Sequence, residues 1–365
     1  MFNKTISNYS NLLFKLNYCN AVQKSLQILE KTSLIPHVPV LFQTVTQYLL
    51  PGPNKTIIDM TFGAGGHSKE ILKRFENVKI YALDCDPISY NYAKTLQKEH
   101  PGQVIPLLGK FSDLPLILKS MGEENILVDG ILFDFGCSSM QFDKAERGFS
   151  ISKNGPLDMR MNNVDPNQLT AGEILSKIDE VDLIKILKIY GEEKQAKKIA
   201  RSIVSARSLF KINTTKQLAD LVESCFNDNC NRVDKLLRPA HSATKTFQAL
   251  RIFVNNELNE INFGIKLAYK LLKLNGRLVT LTFHSLEDTI VKRHLQSSIL
   301  QNKKYKIDAL KYSSHDFFYD NEILEHILKR KWKQLHKHVI KPNEDEINWN
   351  PRSRSAKLRA SEKVF

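Results

Sequence analysis

Three aspartates and a run of glycines have the types and spacing to do chemistry. Asp59 closes a short apolar stretch and is followed by Gly63-Ala64-Gly65-Gly66. Asp84 comes 19 residues after Gly65, and Asp134 closes another apolar stretch, DGILFDFG. Glycines let a backbone adopt positive φ and approach a ligand closely. A helix opening behind them offers free N–H groups to that ligand. An acid at the end of the following strand can accept both hydroxyl hydrogens of a ribose. The set reads as a cradle for an adenosine-containing cofactor. Dinucleotide sites favour GxGxxG, but the third position here is Ser68. Farther on, LLKLNGRLVTLTF has the glycine-interrupted entry into a late strand that is common in methyl-donor enzymes. S-adenosylmethionine is therefore the expected cofactor, and a nicotinamide-dependent oxidoreductase is the rival.

The elements that would position these residues follow from periodicity. From Ile57 onward, short apolar strands alternate with helical stretches, which predicts a parallel sheet with helices on both faces. Between about Ser150 and Ala240 the alternation gives way to helical patterning, as in DEVDLIKILKIYG and EEKQAKKIARSIVSARSLF, with Thr214 or Thr215 capping TTKQLADLVESCF. The expected fold is α/β, a class I (Rossmann-like) sheet over 36–149 and 241–340. A helical subdomain is inserted at 150–240, little strand is expected over 301–365, and 341–365 reads as a basic tail.

Lys+Arg 53 against Asp+Glu 39 leaves a net charge of +14, which favours a polyanionic partner. No apolar run approaches the roughly 18 residues of a membrane span. Five scattered cysteines, Cys19, Cys85, Cys137, Cys225 and Cys230, form neither a disulfide framework nor a zinc spacing, so no metal is expected. The first 29 residues contain Lys4, Lys15 and Lys24 but no acid, a composition that suits an organellar targeting segment over 1–35. Lys194, Lys197, Lys198, Arg201 and Arg207 crowd one helical stretch, and Arg352, Arg354, Lys357 and Arg359 lie among serines near the end. Each group reads either as a solvated face or as a grip on RNA phosphates. Arg147, Arg160 and Arg251 stand apart from charge runs and suit bracing of RNA or of a domain junction. His284-Ser285-Leu286-Glu287-Asp288 lacks a GxSxG elbow and reads as a loop at the mouth of the site.

Long motifs occur in fixed order: DMTFGAGGHS, ALDCDP, DGILFDFGCSSMQFDKAERGFS, GPLDMRM, YGEEKQAKKIARSIV, NGRLVTLTFHSLEDTIVKR and NPRSRSAKLR. In these the chain resembles the small-subunit rRNA cytosine-N4 methyltransferases (RsmH, also called MraW) and their mitochondrial relatives, over about residues 36–360. The resemblance implies S-adenosylmethionine-dependent methylation of a decoding-region cytidine, with small-subunit rRNA or an immature small subunit as partner. The mitochondrial matrix is the implied compartment, with the cytoplasm as alternative. It implies donor contacts from Gly65, Gly66, His67, Asp84, Phe111, Asp134 and Gln141. Asp134 is the candidate catalytic acceptor of an N4 hydrogen, or else only a holder of the donor. Met140 stands where the family has proline, and Cys137 where it has valine; neither removes a proposed contact. The alternative function is a catalytically weak rRNA-binding assembly factor.

Overall fold

The computed structural model describes residues 39–49, 52–226, 241–296 and 330–365. The targeting segment expected at 1–35, with Cys19, and also Cys230 lie outside the described residues.

Residues 39–365 form a single unit built on seven described strands. In chain order these are β1 (Thr56–Asp59), β2 (Lys79–Asp84), β3 (Val104–Leu108), β4 (Val128–Asp134), β5 (Leu272–Thr282), β6 (Trp332–Gln334) and β7 (Lys357–Lys363). The sheet order is β3-β2-β1-β4-β5-β7-β6. The β1–β2, β1–β4, β2–β3 and β4–β5 pairs are parallel, whereas β7 runs antiparallel to both β5 and β6. Sequence order reverses between β1 and β4, and a doubly wound sheet opens its ligand crevice beyond the strand ends at such a point.

Continuous apolar runs make these strands because both faces are covered. Ile58, Tyr81, Ile131, Phe133 and Leu278 face one core, and their neighbours Ile57, Ile80, Leu132 and Val279 face the other. Helix α1 (Phe42–Leu49) precedes β1, and α2 (Gly66–Arg74), α3 (Pro87–Glu99), α4 (Leu114–Ser120) and α5 (Ser139–Asp143) follow β1, β2, β3 and β4 in turn. After a loop come α6 (Ala171–Lys177), α7 (Glu180–Gly191), α8 (Ala196–Arg207), α9 (Thr215–Glu223) and α10 (Thr244–Val254). Then follow α11 (Glu257–Leu271), α12 (Ser285–Gln296) and α13 (Glu344–Trp349).

Helices α6–α9 have their own apolar cluster, which includes Leu183, Leu187, Ile199, Ile203 and Leu218. Thr170 and Thr214 cap α6 and α9, each accepting the N–H three residues on and each paired with a Glu or Gln that reaches back. The cluster also takes in Phe247, Ala249, Leu250 and Val254 of α10, past the boundary at 240 that loss of alternation suggests. Gly276 does not form a turn before β5. With Asn275 at φ 62° it makes an irregularity inside the strand, where pairing with β4 shifts register.

The segment 341–365 is not a tail. It supplies α13, a short 3₁₀ turn at Pro351–Ser355 and the strand β7. Leu358 and Ala360 are buried against the sheet. The alternation of charged and small residues in KLRASEK hid this strand from a search for apolar runs.

Candidate active site

The glycine turn leaves β1 at its C-terminal end. Gly63 and Gly65 have φ of 57° and 78°. A Cβ on Gly65 would lie 2.6 Å from Phe62 Cζ, so only glycine fits this close approach. Helix α2 then starts at Gly66 with no side-chain cap and no acid in its first turn, leaving its N-terminal amides to a ligand.

Asp84 stands at the end of β2 facing this turn. Its Oδ2 accepts the Gly63 N–H at 2.7 Å and its Oδ1 accepts the Asp86 N–H at 2.8 Å. Each oxygen keeps a lone pair for a hydroxyl hydrogen. Burial pushes its pKa up to about 6 even though both amides favour the ionised form. Phe111 follows β3, half-buried, with its ring edge-on to Phe133 at 5.2 Å and to Phe135 at 6.2 Å.

Asp134 ends β4 on the other side of β1. Its N–H donates to Thr61 Oγ1 at 2.6 Å. Its Oδ2 lies 3.6 Å from His67 Nε2, and the imidazole is 7% exposed. Among the described residues, Asp134 Oδ1 and His67 Nε2 are both buried and have no hydrogen-bond partner. Beneath them Asp59, 1% exposed, accepts Ser68 Oγ at 2.7 Å and the Thr61 N–H at 3.2 Å. Burial raises the Asp59 pKa. Thus Gly65, Gly66, His67, Asp84 and Asp134 line the ends of β1, β2 and β4.

Gln141 is held by bonds within the protein. It is buried in α5, its Oε1 accepts the Ser138 N–H at 3.0 Å, and its Nε2 donates to Asp86 Oδ2 at 2.9 Å. Asp86 in turn caps α3 through the Ile88 N–H and pairs with Arg147 at 2.7 Å. Arg147, 3% exposed, also donates to the carbonyls of Arg160 and Met161. A buried ion pair therefore joins the ERGFS and CDP motifs behind the cradle. Asp86 and Arg147 are the residues a search for ligand contacts passes over. The signal was their position inside long motifs, away from any charge run.

The other isolated arginines are also engaged. Arg160 grips Asp158 at 2.8 Å. Arg251 holds Glu257 with two bonds of 2.8 Å, donates to Cys137 Sγ at 3.2 Å and lies 3.8 Å from Glu287. Arg251 thereby ties α10 to α11 and to the loop after Asp134. Burial would raise the fully buried Glu287, but His284, Arg251 and the Phe283 N–H hold it below the ordinary value. Glu257, His284 and Glu287 bring potential ligand atoms within 4.8 Å of one another. The cation among them is the Arg251 guanidinium. Ser285 donates to Glu192 of the helical block at 3.0 Å. Burial lifts the Cys137 thiol to about 11, which leaves it protonated and weakly nucleophilic.

The two basic groups differ in what they touch. Lys194, Lys197, Lys198 and Arg201 line a cavity of about 660 Å³ together with Lys188 of α7. Arg207 does not join them; it donates to the carbonyls of Leu175 and Ile178 and so caps α6. Near the chain's end, Arg352 pairs with Asp143 at 3.0 Å and Arg359 with Asp288 at 2.8 Å, while Arg354 is exposed. These arginines pin the last segment to the site loop and to α12.

A doubly wound sheet with an antiparallel β7, a glycine turn after β1 and acids ending β2 and β4 defines a nucleoside-cofactor enzyme of the class I methyltransferase type. The model of the MraW methylase family matches residues 34–364, and the chain belongs to that family. It is 58% identical over 332 residues to a Drosophila melanogaster protein named as a probable methyltransferase-like protein 15 homolog, covering 90% of this chain and 93% of that one. It is 45% identical over 336 residues to the human 12S rRNA N(4)-cytidine methyltransferase METTL15, covering 90% and 83%. To the ribosomal RNA small subunit methyltransferase H of Parvibaculum lavamentivorans it is 38% identical over 334 residues, covering 92% and 91%.

Proposed function

We propose that this enzyme transfers a methyl group from S-adenosylmethionine to the exocyclic N4 of a cytidine in the decoding region of small-subunit rRNA. The RNA is the mitochondrial 12S species and the compartment is the mitochondrial matrix. The observation that carries the reading is the buried Oδ1 of Asp134 beside the glycine turn, without a hydrogen-bond partner among the described residues. A buried polar atom without a partner is costly unless a ligand completes it.

The residues fit the donor. The amides at the start of α2 and the close approach at Gly65 suit a polar nucleoside tail. The free lone pairs of Asp84 suit the ribose, and the Phe111 ring suits an adenine edge. Gln141 acts through Asp86, holding the wall of the cradle. When bound, the donor supplies a methyl group on a sulfonium sulfur, already electrophilic without help from a metal.

The amine is the difficult partner, because the N4 lone pair is delocalised into the cytosine ring. Asp134 accepts an N4 hydrogen, localises that lone pair and aligns it with the methyl. A stacked base cannot reach this depth, so the target cytidine is single-stranded or splayed out. The cavity between α7 and α8, with five cations along it, supports a grip on the RNA backbone.

The test is purified protein, labelled donor and small-subunit rRNA, followed by nuclease digestion and nucleoside mass spectrometry. N4-methylcytidine is the expected product. Label at C5, or none at all, overturns the reading, and absence of transfer with RNA binding intact selects the assembly-factor alternative. A fluorescent reporter fused to residues 1–35 tests the compartment.

A further inference from the structure

We propose that Glu192 and Ser285 form a bracket that sets the register between the cationic cavity of the helical block and the methyl-transfer site, and so determine which nucleotide of a bound RNA reaches Asp134. The inference deepens the reading above and rests on it. In that reading the RNA is held at two places, and selection of a single nucleotide requires a fixed spacing between them.

The outer half of the bracket belongs to the helical block. Glu192 caps the C-terminal end of α7, four residues past Lys188 and two before Lys194, both of which line the cavity. Its φ of 48° is one that residues with a side chain rarely adopt, and such strain gathers where function holds it. Lys245 of α10 donates to the Glu192 carbonyl at 3.0 Å. The Glu192 carboxylate leaves the block at this turn, and its Oε2 accepts Ser285 Oγ at 3.0 Å.

The inner half belongs to the sheet. Ser285 opens α12, three residues after β5 ends, and Glu287 stands two residues on, fully buried. Glu287 accepts the Phe283 N–H at 2.7 Å and lies 2.9 Å from His284 Nε2, which fixes the backbone leading into Ser285. A Cβ on Gly136 would lie 3.9 Å from Glu287 Oε1, so this carboxylate packs against the chain two residues after Asp134. Arg251 joins from α10, 3.8 Å from Glu287 and bonded to Cys137 in the same loop. A contiguous run of polar groups thus leads from the cavity to the loop that follows Asp134, the kind of path along which two sites can be coupled. Buried charges of this sort contribute little net stability, and their best-attested use is to fix one register. The Ser285 hydroxyl donates to Glu192 and needs no nucleophilic role.

The test uses the full chain, S-adenosylmethionine and two RNAs of the same sequence. One has about thirty nucleotides, enough backbone to follow a cationic surface, and the other about five, centred on the target cytidine. Ser285→Ala should lower kcat/KM on the long RNA about tenfold, the low end for a hydrogen bond to a charged group, and leave the short RNA within about twofold of wild type. On the long RNA, methyl should also appear on a cytidine placed next to the target, which wild type leaves unmodified. Ser285→Thr, which keeps the hydroxyl, should restore both readouts. Ser285→Ala combined with Glu192→Ala should lose no more than about twofold beyond Ser285→Ala alone, because the two act through one bond. Equal losses on the two RNAs, or no loss on the long one, overturns the bracket. Hydrogen exchange separates the bracket from the functional reading. Long RNA bound to wild type should slow exchange over residues 283–288 and 135–138, and bound to Ser285→Ala it should not. If wild type methylates neither RNA, the functional reading fails; if RNA gives no such protection in wild type, the bracket fails.

Discussion

Replacing Arg147 by Ala should be among the most damaging single changes outside the donor contacts. The guanidinium meets Asp86 at 2.7 Å with the two side chains only 3% and 1% exposed. It also satisfies the carbonyls of Arg160 and Met161. Removing one partner of a buried pair typically costs about 3–5 kcal/mol, because the remaining charge is left in a poor solvent. Gln141 and the Ile88 N–H still serve Asp86, which moderates the loss to about 4 kcal/mol within that range. At about 2.1 cal/mol/K per residue, the unit over 39–365 unfolds with roughly 0.7 kcal/mol/K, so Tm should fall by about 6 °C. Thermal melts followed by Trp332 and Trp349 fluorescence read this directly. Arg147→Lys should recover less than half, since an ammonium cannot span the carboxylate and both carbonyls as a planar fork does. The double variant Asp86→Asn, Arg147→Met should melt above Arg147→Ala, because no buried carboxylate then lacks a counter-charge. A melt of Arg147→Ala within 1 °C of wild type, or a double variant that simply adds the single losses, would refute this reasoning.

Other outcomes follow from the same geometry. Asp84 has its pKa raised to about 6, and a ribose needs it ionised, so donor affinity should be flat above about pH 7. Below pH 6 it should weaken by about tenfold per pH unit; calorimetry that shows no such fall removes Asp84 from the ribose site. Gly65→Ala should strain a φ of 78° and press on Phe62, costing about 1–3 kcal/mol and most donor binding; unchanged affinity would mean that the turn has no close ligand. Replacing Lys188, Lys197 and Lys198 together should reduce the slope of log affinity for single-stranded RNA against log salt by about 2, at about 0.7 per phosphate contact. Arg207→Ala should leave that slope alone and instead lower the melting temperature, because it uncaps α6; the reverse pattern would exchange their roles.

The fold was readable wherever strands are apolar on both faces. Ile57-Ile58, Tyr81-Ala82-Leu83 and Ile131-Leu132-Phe133 announce themselves because neighbouring side chains enter opposite cores. β7 carries Lys357, Arg359, Glu362 and Lys363 among small residues, and its partners Asp288 and Arg277 come from distant segments. Periodicity within a window cannot see such pairings. The glycine turn, the helix start and the strand-end acids were legible for the same local reason, since each is set by nearby chain. Gln141 was assigned through the family resemblance and Arg207 through its charge run, and each bonds within the protein. Their bonds are to Asp86 and to the last carbonyls of α6, which only the three-dimensional packing brings within reach.

The placement of β7 has a consequence for biogenesis. Residues 272–282 emerge during synthesis about eighty positions before the strand that will cover them, and until then β5 presents a raw edge carrying Leu278, Val279 and Leu281. Such an edge is a template for misassembly. A nonsense codon at Lys357 would remove β7 and everything after it, yet leave the glycine turn and every proposed catalytic group encoded. Its expected product is nonetheless sticky, chaperone-bound and rapidly degraded, so the phenotype of a late truncation should mimic loss of the whole gene.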